Sequence, residues 1–500
     1  MTVVQQRRAG DEGARSGPQA AWHSLTAWLS RPLASFHLVL AVFVLLTVLG
    51  LVMVLSASSV VSYDTEAANA SVYEVFRKQL VFVLAGAVLF WMGLRVPLRR
   101  VRAASPGFML ICLLLLVLVL IPGIGSKING TRGWFMIGPL SFQPVEAAKL
   151  ALVLWGAHML VLKRSALHLF RHLLVPVVPA AMLMFALVML QPDLTGTVTL
   201  MIVLVSLLWF AGAPLRLFAA IAAGGLAGVI VLAISDGTRL SRVLSFLQPE
   251  ADPSGHGLQA TQALYALADG GLFGRGLGQG PSKFRYLPNV HNDFIFALIG
   301  EELGFIGCLL VLGLFGMLAV VGLRIAARNI DPWIRMVAAT LTVWLVGQAA
   351  INIGYVVGLL PVTGITLPLI SAGGSSVIIT MLVFGLLANC ARHEPESVAA
   401  LRSQGPGRFG RLLRLPAPDP YHPPAKRKPS RPSTPPRGTD RPTGSSTGKA
   451  GQGQQREDRR RGHRGAPGSE HRRRTGSRGA TQRWPHGRAG RPRADEGGRR

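Results

Sequence analysis

The first apolar run of the chain, residues 38–55, reads LVLAVFVLLTVLGLVMVL and contains no charged residue. A helix of this length, at about 1.5 Å of rise per residue, approaches the ~30 Å thickness of a bilayer core. The run follows a tail of more than thirty residues, which is longer than the charged segment that precedes the apolar core of a secretory signal. We therefore interpret it as an uncleaved membrane span rather than a secretory signal, which predicts a helical membrane protein.

Comparable apolar runs recur as far as residue 392 and predict ten spans. They cover residues 36–55, 79–94, 107–122, 146–162, 172–190, 197–211, 217–234, 294–322, 337–360 and 375–391. The predicted fold is thus an all-α polytopic membrane domain over residues 36–392. An amino-terminal tail, residues 1–35, precedes it. A large extracytoplasmic loop lies between the seventh and eighth helices.

Basic residues are distributed unequally among the short loops. If the amino terminus is cytoplasmic, the inner loops carry eleven Lys and Arg residues and the short outer loops carry four. Because cytoplasmic loops are enriched in Lys and Arg, we predict that both termini are cytoplasmic. The longest connection, residues 235–292, then lies outside, where a loop of this length is usually functional. Parts of it are expected to form amphipathic helices at the bilayer surface, with Tyr265 and Tyr286 at headgroup level.

The net charge of +28 is concentrated at the carboxyl end. From Arg392 onward there are 27 Lys and Arg against 9 Asp and Glu, a net +18. This Pro-, Gly- and Arg-rich tail, residues 393–500, is predicted to be disordered. Its basic clusters suit anionic lipids or acidic partners, and a solvated tail without a fixed partner is the alternative. No nucleic-acid-binding motif accompanies the charge, so no nucleic acid partner is expected.

Charged residues at membrane depth cost ~2.5–3.5 kcal/mol each, so polar segments among the spans are candidate functional sites. The first is residues 129–150, NGTRGWFMIGPLSFQPVEAAKL, where Gly and Pro prevent a continuous helix. Glu146 and Lys149 stand three residues apart on one helix face, so they either pair with each other or contact substrate. Lys127 and Arg132, just outside, are better placed to meet an anionic group.

The second segment is residues 191–197, QPDLTGT, a short outer turn with a single acidic residue. Asp193 precedes the sixth predicted span. Aspartate at such a turn usually accepts hydrogen bonds from the first backbone N–H groups of the helix. Capping is therefore the favoured interpretation, and direct chemistry is the alternative.

The third segment is residues 270–307, GGLFGRGLGQGPSKFRYLPNVHNDFIFALIGEELGFIG. Asp293 follows His291 and precedes an apolar stretch. A carboxyl group with one apolar side has a raised pKa, which suits a general base, although an N-cap for the eighth span is the alternative. Glu301 and Glu302 lie further along the same span. At least one of them is expected to face a cavity, either paired with a basic residue or holding a cation.

The fourth segment is residues 358–377, GLLPVTGITLPLISAGGSSV, between the last two spans. Proline and glycine interrupt any helix here. Irregular backbone at membrane depth is tolerated only within protein or beside water, so we expect a cavity that opens outward.

Together these four segments resemble, in order, the signatures of the SEDS family (shape, elongation, division and sporulation), and within it the cell-division branch. The resemblance implies a peptidoglycan glycosyltransferase that polymerises lipid II at the outer membrane face during septal wall synthesis. It implies a class B penicillin-binding protein and other division proteins as partners. The family's HxDFIF motif corresponds to residues 291–296, which makes Asp293 the implied catalytic base.

The other candidate residues are expected to contact the lipid-linked substrates. They are Lys127, Arg132, Glu146, Lys149, Asp193, Lys283, Arg285, His291, Glu301, Glu302, Ser375 and Ser376. A leaving pyrophosphate requires positive charge, from basic side chains or from a divalent cation such as Mg²⁺ or Mn²⁺. Two other functions remain open at this stage, a lipid II flippase and a non-catalytic division scaffold.

Overall fold

The computed structural model describes residues 31–61, 73–128, 130–138, 140–163, 176–235, 256–283 and 292–421. The helices are α1 (Ala34–Val61), α2 (Glu74–Arg95), α3 (Leu98–Leu118), α4 (Pro144–Leu162), α5 (Val177–Leu190), α6 (Leu194–Phe210), α7 (Leu215–Ser235), α8 (His256–Gly270), α9 (Ile295–Arg328), α10 (Pro332–Val356), α11 (Ser375–Arg392), α12 (Pro395–Ser403) and α13 (Arg408–Leu412). Three short antiparallel strands separate α3 from α4, namely β1 (Ser126–Ile128), β2 (Thr131–Ile137) and β3 (Leu140–Phe142).

The predicted spans all overlap helices. Within the described parts of the chain, α1 to α4 and α9 to α11 are long and apolar enough to cross a membrane. Helices α5 and α6 and the first half of α7 are apolar but shorter. The all-α polytopic membrane fold is confirmed, while the number of ten crossings stays a prediction. The small sheet was not predicted.

Three helices form the centre of the bundle. Helices α4, α10 and α11 are buried over most of their length, whereas α2 and α3 expose one side. Helix α11 packs along α2, and α10 packs against α6 and α9. Helix α4 carries the charged residues Glu146 and Lys149, which are costly to expose to lipid, and this favours its central place. Polar residues on these three helices are therefore interior residues.

Helix α9 is interrupted at Gly304, whose φ of 70° and ψ of −167° are not helical. The loop after α8 fills the break. Arg275 N–H donates to the carbonyl of Glu301 at 2.9 Å, and Phe305 N–H donates to the carbonyl of Gly271 at 2.9 Å. Backbone groups freed by a break in a membrane helix must find such partners. The loop after α8 is thereby anchored to α9, which contains the eighth predicted span.

The carboxyl-terminal tail is folded further than predicted. Disorder was expected from residue 393, but α12 and α13 are helical, so that prediction is wrong for this part. The indole of Trp91 donates to the carbonyl of Leu413 at 3.0 Å, and Leu415 is buried. These apolar and hydrogen-bonded contacts supply the burial that composition alone did not reveal. The expectations for residues 1–30, for Tyr286 and for residues 422–500 lie outside the described residues.

Candidate active site

Asp293 lies in the turn immediately before α9 and is half-buried. Phe294 occupies the N-cap position of α9 without a side-chain capping bond, so the N-cap interpretation of Asp293 is wrong. The loop between α10 and α11 lies against the carboxylate. A Cβ atom on Gly364 would lie 3.5 Å from Asp293 Oδ2 and 3.9 Å from Thr195 Oγ1. Because Gly364 also has a φ of +74°, glycine suits this close approach.

The environment of Asp293 makes its carboxyl group more basic than usual. Burial raises the pKa of Asp293 from 3.8 to about 6. Among the described residues, no donor forms a hydrogen bond with this carboxylate. At neutral pH the group is therefore ionised and still a competent proton acceptor.

Asp193 has a different environment, although it lies at the same end of the bundle. Its Oδ1 accepts the N–H of Gly196 at 2.7 Å as the N-cap of α6, which confirms the capping interpretation. Its Oδ2 accepts the side-chain amide of Gln143 at 3.0 Å. Burial raises the pKa of Asp193, while the bond from Gly196 acts in the opposite direction. Both oxygens of this carboxylate are occupied.

Glu146 and Lys149 form a buried ion pair at the start of α4. Lys149 Nζ lies 2.9 Å from Glu146 Oε1, and the lysine is 1% exposed. The ammonium group also lies 5.1 Å from the centre of the Trp344 ring, a favourable cation–π distance. The pairing interpretation is confirmed. Contact of either residue with substrate stays a prediction.

Glu301 and Glu302 are both buried and are partnered by serines. Glu301 Oε1 accepts the N–H of Ser282 at 3.1 Å and its hydroxyl at 3.0 Å. The hydroxyl of Ser56 lies 2.6 and 2.7 Å from the two carboxylate oxygens of Glu302. Within the described parts of the chain, no group of three or more His, Cys, Asp or Glu side chains could hold a metal ion.

The remaining candidates divide into three groups. Lys127 and Arg132 are directly paired across β1 and β2, where Lys127 is exposed. Ser375 begins α11, and its hydroxyl accepts the backbone N–H of Gln143 at 3.1 Å, while Ser376 is half-buried in the next position. Gln143 thus connects the α11 start with the Asp193 cap. Arg285, His291 and the side chain of Lys283 lie outside the described residues.

The structure also brings residues to Asp293 that were not predicted. Thr195 Oγ1 donates to the carbonyl of Thr363 at 2.7 Å, beside Gly364. Asn352 and Tyr355, on α10, bind the carbonyl of Asp293. Polar residues at helical spacing in an otherwise apolar run were the available signal for the α10 residues.

The fold and these contacts define a class of protein: a multi-pass helical membrane protein whose polar loops close one end of the bundle around a carboxylate of raised pKa. The family model described as "Cell cycle protein", covering FtsW, RodA and SpoVE, matches residues 36–396. The chain belongs to this family, the SEDS family, which confirms the resemblance found in the sequence.

Two curated relatives illustrate the similarity. The chain is 50% identical over 421 residues to the "Probable peptidoglycan glycosyltransferase FtsW" of Mycobacterium tuberculosis, which spans 83% of this chain and 80% of that protein. It is 41% identical over 358 residues to "Stage V sporulation protein E" of Bacillus subtilis, which spans 71% of this chain and 96% of that protein.

A solved structure is also similar. It is described as "Structural coordination of polymerization and crosslinking by a peptidoglycan synthase complex". The superposition has a TM-score of 0.56 at 28% identity and covers 74% of this chain and 99% of that chain.

Proposed function

We propose that this protein is a peptidoglycan glycosyltransferase that polymerises lipid II at the outer face of the cell membrane, with Asp293 as the general base. The names of its relatives support the enzyme class. One observation supports the role of Asp293. Its carboxyl group has a raised pKa, and no donor among the described residues forms a hydrogen bond with it. A base of this kind contributes about 10²–10⁴-fold to a rate.

In the proposed reaction, Asp293 accepts the proton of a sugar hydroxyl on one lipid II molecule. The resulting oxygen nucleophile attacks the anomeric carbon of the growing chain, and the bond from that carbon to the lipid pyrophosphate breaks. One direct displacement inverts the anomeric centre. The energy comes from the pyrophosphate linkage, since nucleotide-activated sugars are not available outside the membrane.

The leaving pyrophosphate gains negative charge and needs cations nearby. Arg132 on β2 and Lys127 on β1 are the described basic residues that we propose for this role. Mg²⁺ or Mn²⁺ carried by the pyrophosphate is a further source of charge. Polymerisation measured with and without EDTA distinguishes these sources, because side chains alone would support an EDTA-resistant rate.

The proposed orientation places both termini in the cytoplasm and the loop end of the bundle outside. A class B penicillin-binding protein is the proposed partner, working at the division septum with other division proteins. The similarity to a protein of a peptidoglycan synthase complex supports such an assembly. In it, the partner would cross-link the strands that this chain polymerises.

A lipid II flippase is the second candidate function, and one observation favours it. Helix α9 is discontinuous at Gly304, and discontinuous helices are a recurring feature of transporters. Transport of labelled lipid II across reconstituted vesicles, measured beside its polymerisation, separates the two functions.

The decisive variant is Asp293→Ala, reconstituted with the partner transpeptidase. We expect folded protein and no glycan strands. The matched control is Asp269→Ala, which removes an exposed outer carboxylate paired with Arg275 and should polymerise at the wild-type rate. Full polymerisation by Asp293→Ala would contradict the base assignment. Transport without polymerisation by the wild type would favour the flippase, and growth supported by Asp293→Asn would favour a scaffold.

A further inference from the structure

Asn352 and Tyr355 lie three residues apart on α10, and both are fully buried. Asn352 Nδ2 lies 3.0 Å from the main-chain carbonyl oxygen of Asp293 and 2.6 Å from that of Ile365. The hydroxyl of Tyr355 lies 2.8 Å from each of the same two oxygens. Two side chains of one helix therefore hold the same pair of backbone carbonyls.

The protons available at this point match the acceptors. Asn352 has two amide protons and Tyr355 has one hydroxyl proton. Asn352 Nδ2 also lies 2.7 Å from the Tyr355 oxygen. Asn352 can donate one proton to each carbonyl while Tyr355 donates to that of Asp293. The Asn352 Oδ1 atom has no hydrogen-bond partner among the described residues. Removing one member of such a buried network leaves another polar group without its partner, which is costly.

The two carbonyls belong to segments that meet at the candidate site. One is the turn that carries Asp293, and the other adjoins Gly364, which approaches the Asp293 carboxylate. On the other side of Gly364, the hydroxyl of Thr195 holds the carbonyl of Thr363. One turn earlier on α10, the amide of Gln348 donates to the carbonyl of Thr366 at 3.0 Å. The loop is thus fixed at Thr363, Ile365 and Thr366, on both sides of its contact with the carboxylate.

We propose that Asn352 and Tyr355 are positioning residues for the glycosyl transfer, holding the Asp293 carboxylate against Gly364 by tying together the two backbone segments. This inference rests on the proposed role of Asp293. Neither side chain is exposed, so both act through Asp293 rather than on the substrate. A misplacement of about 1 Å can lower a rate ~100-fold. The clamp, as we call the side chains of Asn352 and Tyr355, should therefore have a measurable effect on the rate.

The test uses Tyr355→Phe and Asn352→Ala in the reconstituted complex with lipid II. Tyr355→Phe removes only the hydroxyl and keeps the ring, which contacts Phe294 edge-on. We expect a fall in kcat of about tenfold for Tyr355→Phe and about 100-fold for Asn352→Ala, with KM little changed. The acid limb of the pH profile should also move from about 6 toward lower pH, because a looser turn admits water to Asp293. Tyr355 is the titratable side chain that the described residues place beside this carboxylate.

Asn389→Ala is the matched control. The amide of Asn389 also bridges two backbone carbonyls, those of Gly93 and Val96, each at 2.9 Å. It lies on α11, ~21 Å along the helix from Ser375, at 1.5 Å per residue. We expect this variant to lose thermal stability and to keep the wild-type kcat and pH profile per folded molecule.

Two results would overturn the positioning role. One is a wild-type kcat and acid limb in both clamp variants. The other is a loss of activity that only follows the folded fraction, as in Asn389→Ala. Asp293→Ala separates this failure from failure of the proposed function. Inactive Asp293→Ala beside unaffected clamp variants rejects only the positioning role, whereas active Asp293→Ala rejects the catalytic base itself.

Discussion

Asp193 and Asp293 lie at the same end of the bundle, each one or two residues before a helix, yet they are bound differently. Asp193 is 6% exposed, and both of its oxygens accept hydrogen bonds, from Gly196 and from Gln143. Asp293 is more exposed, and it is its main-chain carbonyl that is bound, by Asn352 and Tyr355. The backbone of Asp293 is held while its carboxylate remains available.

In the proposed mechanism, this difference separates a structural carboxylate, that of Asp193, from the catalytic one, that of Asp293. A carboxylate that accepts backbone N–H and amide bonds loses those bonds if it accepts a proton, so at Asp193 these bonds oppose the rise in pKa that burial causes. A desolvated carboxylate without such donors binds a proton more readily. Both residues lie in short turns before a helix, and the distinction comes from the segments that pack against them.

The largest expected effect is on activity. Asp293→Asn should lower the lipid II polymerisation rate about 10²–10⁴-fold, because the amide cannot accept the proton. Asp193→Asn keeps an oxygen that can accept the Gly196 N–H, and it should retain more than a tenth of the wild-type rate. Initial rates of strand synthesis, normalised to folded protein, provide the measurement. Equal losses in the two variants would remove the distinction between the carboxylates.

A third carboxylate extends the comparison to stability. Lys149→Met leaves the buried carboxylate of Glu146 without its partner, which should cost about 3–5 kcal/mol. The midpoint of thermal unfolding in detergent reports the loss. The double variant Glu146→Gln with Lys149→Met removes both charges and should recover part of it. If the single variant unfolds like the wild type, the pair contributes little to the fold.

The smallest expected effect is on stability at the two aspartates, with opposite signs. The pKa of Asp293 is raised to about 6 in the folded protein, so its charge opposes folding above pH 6. Asp293→Asn should therefore be more stable than the wild type at pH 8, on the order of 1–2 kcal/mol, and the difference should disappear below pH 4.

Asp193→Ala should be less stable by about 1 kcal/mol, because the α6 cap is lost. Thermal midpoints of both variants at pH 4 and pH 8 test the two signs; a stabilising Asp193→Ala would contradict the capping role.

Hydropathy and local spacing predicted much of this arrangement. The i,i+3 spacing gave the Glu146 and Lys149 pair, and the turn before a span gave the Asp193 cap. The small sheet was missed, although Asn129 and Gly130 between β-prone residues are a strong hairpin signal. Each of these features is formed by residues close together in sequence, so the local pattern contains the signal needed to predict it.

The contacts that distinguish Asp293 could not be predicted in this way. Gly364 and Asn352 are both distant from Asp293 in sequence, and Thr195 is on another helix. Their meeting depends on which helices are neighbours in the bundle, and the periodicity of a single sequence does not specify that. The serine partners of Glu301 and Glu302 escaped prediction for the same reason.

Chemical rescue tests the proposed base most directly. Asp293→Ala removes the carboxylate and leaves room beside Gly364, so added formate can supply a small carboxylate there. We predict that formate restores part of the lipid II polymerisation rate to Asp293→Ala in a concentration-dependent manner and does not raise the rate of Asp193→Ala. Polymerisation by Asp293→Ala without formate, or equal rescue of both variants, would contradict the assignment of Asp293 as the base.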